Sequence, residues 1–231
     1  MSITENVAHI KEEIAKAAIA AGRNPEDILL CAATKMNDAA AVQEAIRAGV
    51  DCCGENRVQE LTLKQSQNAY EGAPVHFIGH LQTNKVKQVV GKVDLIQSVD
   101  SLRLLEAINK EAIRQDIVQD VLLEVNVAME DSKSGFAIED VDAVLSRMRE
   151  FPAIRVLGFM AIPPICQNST ENHKFFQKMY NLSVDIMRKK YDNVCVNILS
   201  MGMSGDYADA IACGSTMIRV GTAIFGARDY S

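Results

Sequence analysis

In ILLCAATKMN, residues 28–37, six apolar or small residues and a threonine lead to one amine, Lys35. Alternation along an extended chain puts Cys31, Ala33 and Lys35 on one face, and the two small side chains leave room there for a ligand. Burial disfavours a charged ammonium, and a neighbouring cation lowers its pKa further. The neutral amine is the form that attacks an aldehyde to make a Schiff base. A strand-end lysine that simply reaches water is the plainer alternative, so Lys35 needs company before it means chemistry.

Two further segments supply that company. LSMGMSGD (199–206) and IRVGTAIFGAR (218–228) each combine glycine with hydroxyl residues: Ser200, Gly202 and Ser204 in the first, Gly221 and Thr222 in the second. Glycine lets backbone amides approach an anion closely, and hydroxyls add donors. Within MIRVG, alternation groups Met217, Arg219 and Gly221 on one face, opposite Ile218 and Val220. An inward guanidinium needs a partner. A bound anion, a ring nitrogen or a carboxylate such as Glu55 would serve. An amine, an anion cradle and an inward arginine together suit an aldehyde that carries a phosphate, and pyridoxal 5′-phosphate (PLP) meets all three requirements.

Such groups meet only if the fold brings distant segments together. Short apolar runs at 28–34, 50–54, 75–79, 94–99, 121–127, 154–161, 194–199 and 217–220 alternate with amphipathic stretches such as 39–48, 102–113, 140–148 and 172–189. Runs that are apolar throughout suit parallel strands covered on both faces. Eight strand–helix units in 231 residues predict an α/β fold, a single (β/α)8 barrel of the TIM type. In that fold, chemistry gathers where strands end, and the loops after strands seven and eight form the recurrent phosphate site. An open doubly wound sheet competes, but no GxGxxG follows the first strand. Residues 1–22 form an additional amphipathic helix, with Val7, Ile10, Ile14, Ala17, Ala18 and Ala21 on its apolar side. No linker-like stretch divides the chain, so residues 1–231 are expected to be one domain.

Hydrophobic residues make up 48%, charged residues 23%, and the net charge is −6; disorder, general nucleic-acid binding and polybasic membrane binding are therefore not expected. No run approaches the roughly 18 apolar residues of a membrane span, and the N-terminus lacks a signal-peptide pattern. The six cysteines show no CxxC spacing and are read as reduced core residues of a cytoplasmic protein, without zinc or disulfides.

The residues also match a family. ATK (33–35), GENRVQE (54–60), HFIGHLQTNK (76–85), QSVDS (97–101), SKSGF (132–136), GFMAI (158–162), LSMGMSGDYADAI (199–211) and GSTMIRVGTAIFGAR (214–228) resemble the PLP homeostasis proteins. The resemblance runs from about Ile28 to Arg228, nearly the whole chain. Val75 stands where a Trp is often seen before HFIG. The resemblance implies a barrel like the N-terminal domain of alanine racemase, with PLP on Lys35 as a Schiff base. It also implies Ser200, Gly221 and Thr222 at the phosphate and Asn56 and Arg219 near the ring, although GEN could equally be a turn that caps the next helix.

The implied function is non-catalytic PLP homeostasis, that is, buffering or delivery to PLP-dependent apo-enzymes, by a monomer or weak homodimer. Arginine does not give up a proton at ordinary pH, so a ring nitrogen facing Arg219 stays unprotonated and the ring is a weak electron sink. An amino-acid racemase is the alternative; it needs a second acid/base, for which a C-terminal β domain is not expected after Ser231 and Tyr207 is one substitute. A Schiff-base aldolase is a third reading. His76 and His80, four apart, would share a strand face without an evident third metal ligand. Lys85, Lys87 and Lys92 form a basic stripe, Lys133 is the second lysine that could reach the barrel mouth, and Met201 and Met203 are expected around the ligand.

Overall fold

The computed structural model describes residues 2–130, 134–164 and 169–226. Eight parallel strands close in sequence order: β1 (Leu29–Ala33), β2 (Cys52–Glu55), β3 (Val75–Phe77), β4 (Leu95–Val99), β5 (Gln119–Glu124), β6 (Ile154–Met160), β7 (Val194–Ser200) and β8 (Met217–Val220). The sheet seals where β1 pairs with β8, Cys31 opposite Arg219. Each expected strand is present, most of them a residue or two shorter.

An N-terminal helix α1 (Ile3–Ala20) precedes the barrel. Around it run α2 (Ala39–Arg47), α3 (Val58–Ser66), α4 (Leu102–Gln115), α5 (Val141–Ser146), α6 (Ser169–Met187), α7 (Tyr207–Ala212) and α8 (Thr222–Phe225). The crossover after β3 is a 3-10 helix, Thr83–Gln88, instead of an α-helix. The basic stripe falls there and just beyond, with Lys87 and Lys92 exposed and Lys85 half-buried.

Helix α1 begins with a reciprocal cap: Ser2 Oγ accepts from Glu5 N, and Glu5 Oε2 accepts from Ser2 N at 2.7 Å. It buries Val7, Ile10, Ile14 and Ala18 against α2, α7 and α8, so it covers the seam between the first and last units. Asn6 Nδ2 donates to Ile224 O at 2.8 Å and ties it to α8.

The main core lies between strands and helices; it includes Leu30, Ala32, Phe77, Ile218 and Val220. Inside the barrel are two smaller clusters, Cys31 with Cys52 and Met217, and Leu95 with Leu122 and Met160. The alternation expected for β8 therefore holds. Cys31, Cys52, Cys53 and Cys213 are buried free thiols, but Cys195 on β7 is exposed, contrary to a core role; Cys166 lies outside the described residues. Among the described residues, no helix is long and apolar enough to cross a membrane.

Candidate functional site

At the carboxyl ends of the strands lies a cavity of about 500 Å³, within the range of small-molecule sites. Ala33, Lys35, Asn56, Ile78, Arg219, Gly221 and Thr222 line it, with Ile162, Asn172 and residues 203–206. Five of the six residues singled out from sequence thus share one cavity. Lys35 sits in the turn just after β1, where its ammonium makes no hydrogen bond or ion pair with a described residue.

A buried network beneath the lysine fixes that turn. Glu55 Oε2 accepts from Lys64 Nζ (2.6 Å), Thr34 Oγ1 (3.1 Å) and Tyr70 OH (3.2 Å). Lys64 Nζ also donates to Thr34 O at 2.6 Å, so the carbonyl leading into Lys35 is held directly. The other Glu55 oxygen accepts from Asn56 N at 2.8 Å. One carboxylate therefore positions the backbone of both Lys35 and Asn56. Glu55 was a candidate partner for Arg219; it faces α3 instead, because the buried Lys64 supplies its countercharge at short range.

Asn56 does not cap α3, whose cap position is Arg57 without a side-chain bond. Its Oδ1 is buried without a hydrogen-bond partner, a costly state unless a ligand donor meets it. Gly79 lets it approach: a Cβ there would lie 2.1 Å from Asn56 O.

Arg219 projects inside the barrel, 5% exposed. Its Nη1 donates to Ser200 Oγ (2.5 Å) and its Nη2 to Ala161 O (2.9 Å). Burial lowers its pKa, opposed by the charge fields of Cys31, Glu124 and Asp206. Ser200 is fully buried and not among the lining residues; its hydroxyl donates to Gln97 Oε1 at 2.7 Å. The serine that faces the cavity is Ser204, whose Oγ accepts from Thr222 Oγ1 at 3.3 Å across the loops after β7 and β8. Gly202, at φ +94°, allows that first loop its path, and a Cβ there would meet Ala210 Cβ at 2.6 Å.

Below Ser200 the polar chain continues through the interior. Gln97 Nε2 donates to His76 Nδ1 at 2.9 Å, and Cys52 Sγ stands 3.5 Å from the same nitrogen. Cys31 and Cys52 stand opposite each other in register, and the interaction of the two thiols lowers the Cys31 pKa and raises that of Cys52, while burial raises both. His80 does not share this face, because β3 ends at Phe77; it is exposed and pairs with Asp100 at 3.1 Å. Met203 lines the cavity whereas Met201 packs in the core, and Lys133 lies outside the described residues.

Sequence reasoning passed over Asn172 and Asp206 on the cavity wall. Asn172 donates to Asp209 Oδ2, and Asp206 Oδ1 accepts from Met203 N at 2.6 Å. Burial raises the Asp206 pKa. Asp206 lay within the quoted LSMGMSGD, but Asn172 belongs to no recognisable pattern.

The family model for the alanine racemase N-terminal domain matches residues 3–229. A pyridoxal phosphate homeostasis protein of Aquifex aeolicus is 40% identical over 230 residues, covering 100% of both chains. One from Escherichia coli K12 is 38% identical, covering 99% of this chain and 98% of the relative. The chain belongs to the pyridoxal phosphate homeostasis protein family. Among solved structures, PipY of Synechococcus elongatus with PLP bound superposes with a TM-score of 0.83 at 30% identity, covering 97% of this chain and 100% of PipY. An unknown protein from Bifidobacterium adolescentis gives 0.92 at 37% identity, with coverage of 96% and 94%. Alanine racemase of Clostridium difficile, at 16% identity and TM-score 0.71, shares the barrel fold; this chain covers 58% of it. Membership in the homeostasis family is thus set by full-length similarity, and the shared barrel by structure.

Proposed function

We propose that this chain binds PLP as a Schiff base on Lys35 and, without turnover, buffers the cofactor or delivers it to PLP-dependent apo-enzymes in the cytoplasm. Residues 1–231 act as one domain. The observation that carries this reading is the convergence of Lys35, the orphaned Asn56 Oδ1, Arg219 and the Ser204–Thr222 hydroxyl pair on one cavity. PipY, whose solved structure has PLP bound, supports it.

Lys35, whose amine has no hydrogen-bond or ion-pair partner among the described residues, would supply that amine to the aldehyde carbon. Ser204, Gly221 and Thr222 are assigned to the phosphate; Ser200 acts one layer below by orienting Arg219. Asn56 Oδ1 accepts from the ring hydroxyl or the linkage beside it. Arg219 faces the ring and, as a permanent donor, keeps a ring nitrogen unprotonated and carbanion stabilisation weak.

The non-catalytic part draws support from the full-length relatives, which are named as homeostasis proteins. On the cavity wall the titratable groups among the described residues are Lys35, Asp206 and Arg219, and Asp206 Oδ1 accepts from a backbone amide. Tyr207, the substitute acid/base, is not among the lining residues.

The test is absorbance of the purified chain titrated with PLP. A yellow band is expected that Lys35→Ala abolishes, with no interconversion of amino-acid enantiomers on chiral chromatography. A chain that stays colourless rejects binding, and sustained Lys35-dependent racemisation rejects the non-catalytic part.

A further inference from the structure

The floor of the barrel holds three metal-binding side chains for which the cofactor site has no use. Cys31 on β1, Cys52 on β2 and His76 on β3 each offer a ligand atom, and these atoms all lie within 4.8 Å of one another. Among the described residues it is the one such group of three. Register explains the convergence: Cys31 is the direct partner of Cys52, and His76 that of Gly54, so neighbouring parallel strands turn all three inward. Chain spacing gave no metal pattern because each ligand comes from a different strand.

We propose that Cys31, Cys52 and His76 form a binding site for a thiophilic divalent cation of the zinc class. The separation of Cys52 Sγ from His76 Nδ1 is 3.5 Å. Tetrahedral zinc, with its usual sulfur and nitrogen distances, needs an S···N edge of about 3.6 Å. Little movement is required there. Charge also balances: the divalent ion and two thiolates sum to zero, so the complex suits a site where Cys31 is 0% and Cys52 2% exposed. Binding releases two thiol protons to solvent, and no electron moves.

The surroundings fit the ion. Met217 packs on both cysteines and brings a thioether, another soft donor, to the same cluster. When His76 Nδ1 turns to the metal, the Gln97 amide still has Met217 Sδ as acceptor at 3.2 Å. Through Met217, Gln97 and Ser200 the cluster stays linked to Arg219 in the layer under the cavity.

The probe is cobalt(II), added to the full-length protein kept reduced with a phosphine and then gel-filtered. One ion per chain is expected, with the intense visible bands of tetrahedral thiolate-bound cobalt, which zinc then displaces. Those bands lie to the red of pyridoxal absorption and are equally expected in Lys35→Ala, so failure of PLP binding does not touch this test. Cys31→Ser and Cys52→Ala should lose the bands, and Cys195→Ala should keep them, with circular dichroism reporting the fold of each. Wild type that retains no cobalt, or shows only weak octahedral bands, overturns the site. So does a folded Cys31→Ser/Cys52→Ala chain with an unchanged spectrum.

Discussion

Lys64 Nζ and Glu55 Oε2 form a 2.6 Å ion pair, and the two side chains are 5% and 0% exposed. The pair ties α3 to the end of β2 and, through Thr34 O, to the turn that carries Lys35. Removing one partner of a buried pair strands the other charge, at a cost of about 3–5 kcal/mol. Lys64→Met is therefore expected to lower the unfolding free energy by about that amount in denaturant titration. PLP retention should fall too, because the Lys35 turn loses its anchor. In the Lys64→Met/Glu55→Gln double variant the loss should be smaller than the sum of the two single losses.

Two serines on the same segment should behave oppositely. Ser200→Ala takes the acceptor from Arg219 Nη1, an expected stability cost of about 1–3 kcal/mol with only a slight change in PLP affinity. Ser204→Ala removes a cavity hydroxyl, so PLP affinity should fall by about ten- to a hundredfold with an unchanged melting temperature, since one charge-assisted hydrogen bond is worth about 1.5–3 kcal/mol. Fluorescence titration and thermal melts separate the two.

That pair also marks how much the sequence could tell. Alternation in MIRVG was enough to turn Arg219 inward, because a strand between core and helices has only two faces. The eight strands were legible for the same reason: each is a short apolar run bounded by polar turns. Which serine of LSMGMSGD lines the cavity was not legible. Ser200 ends a strand and Ser204 rides the loop, and that distinction depends on where β7 stops. The partner of Glu55 was hidden as well, since Lys64 looks from sequence like one more surface residue of a helix. His76 and His80 were misjudged because β3 is three residues long, too short to hold both.

Gly79→Ala should disturb the site from outside the cavity. The added methyl would lie 2.1 Å from the Asn56 carbonyl, so the backbone must shift. A destabilisation of about 1–3 kcal/mol is expected, with weaker PLP binding, both read in one melt with and without cofactor.

Glu111 provides a pH test of the scaffold alone. Hydrogen bonds from Arg114, together with Gln115, overcome burial and bring its carboxyl down to about 2 from an ordinary 4.5. A folded pKa below the unfolded one means stability that is full above about pH 4.5 and lost as pH falls towards 2. The melting-temperature gap between wild type and Glu111→Gln should be largest near neutrality and narrow across that interval.

The central claim is that one particular amine takes the cofactor. Borohydride reduction of the PLP-treated chain, followed by proteolysis and mass spectrometry of the peptides, reads it directly. The account predicts a pyridoxyl group on Lys35, in stoichiometric yield and lost in Lys35→Ala. A reduced adduct on another lysine, or none in a chain that has turned yellow, would contradict it.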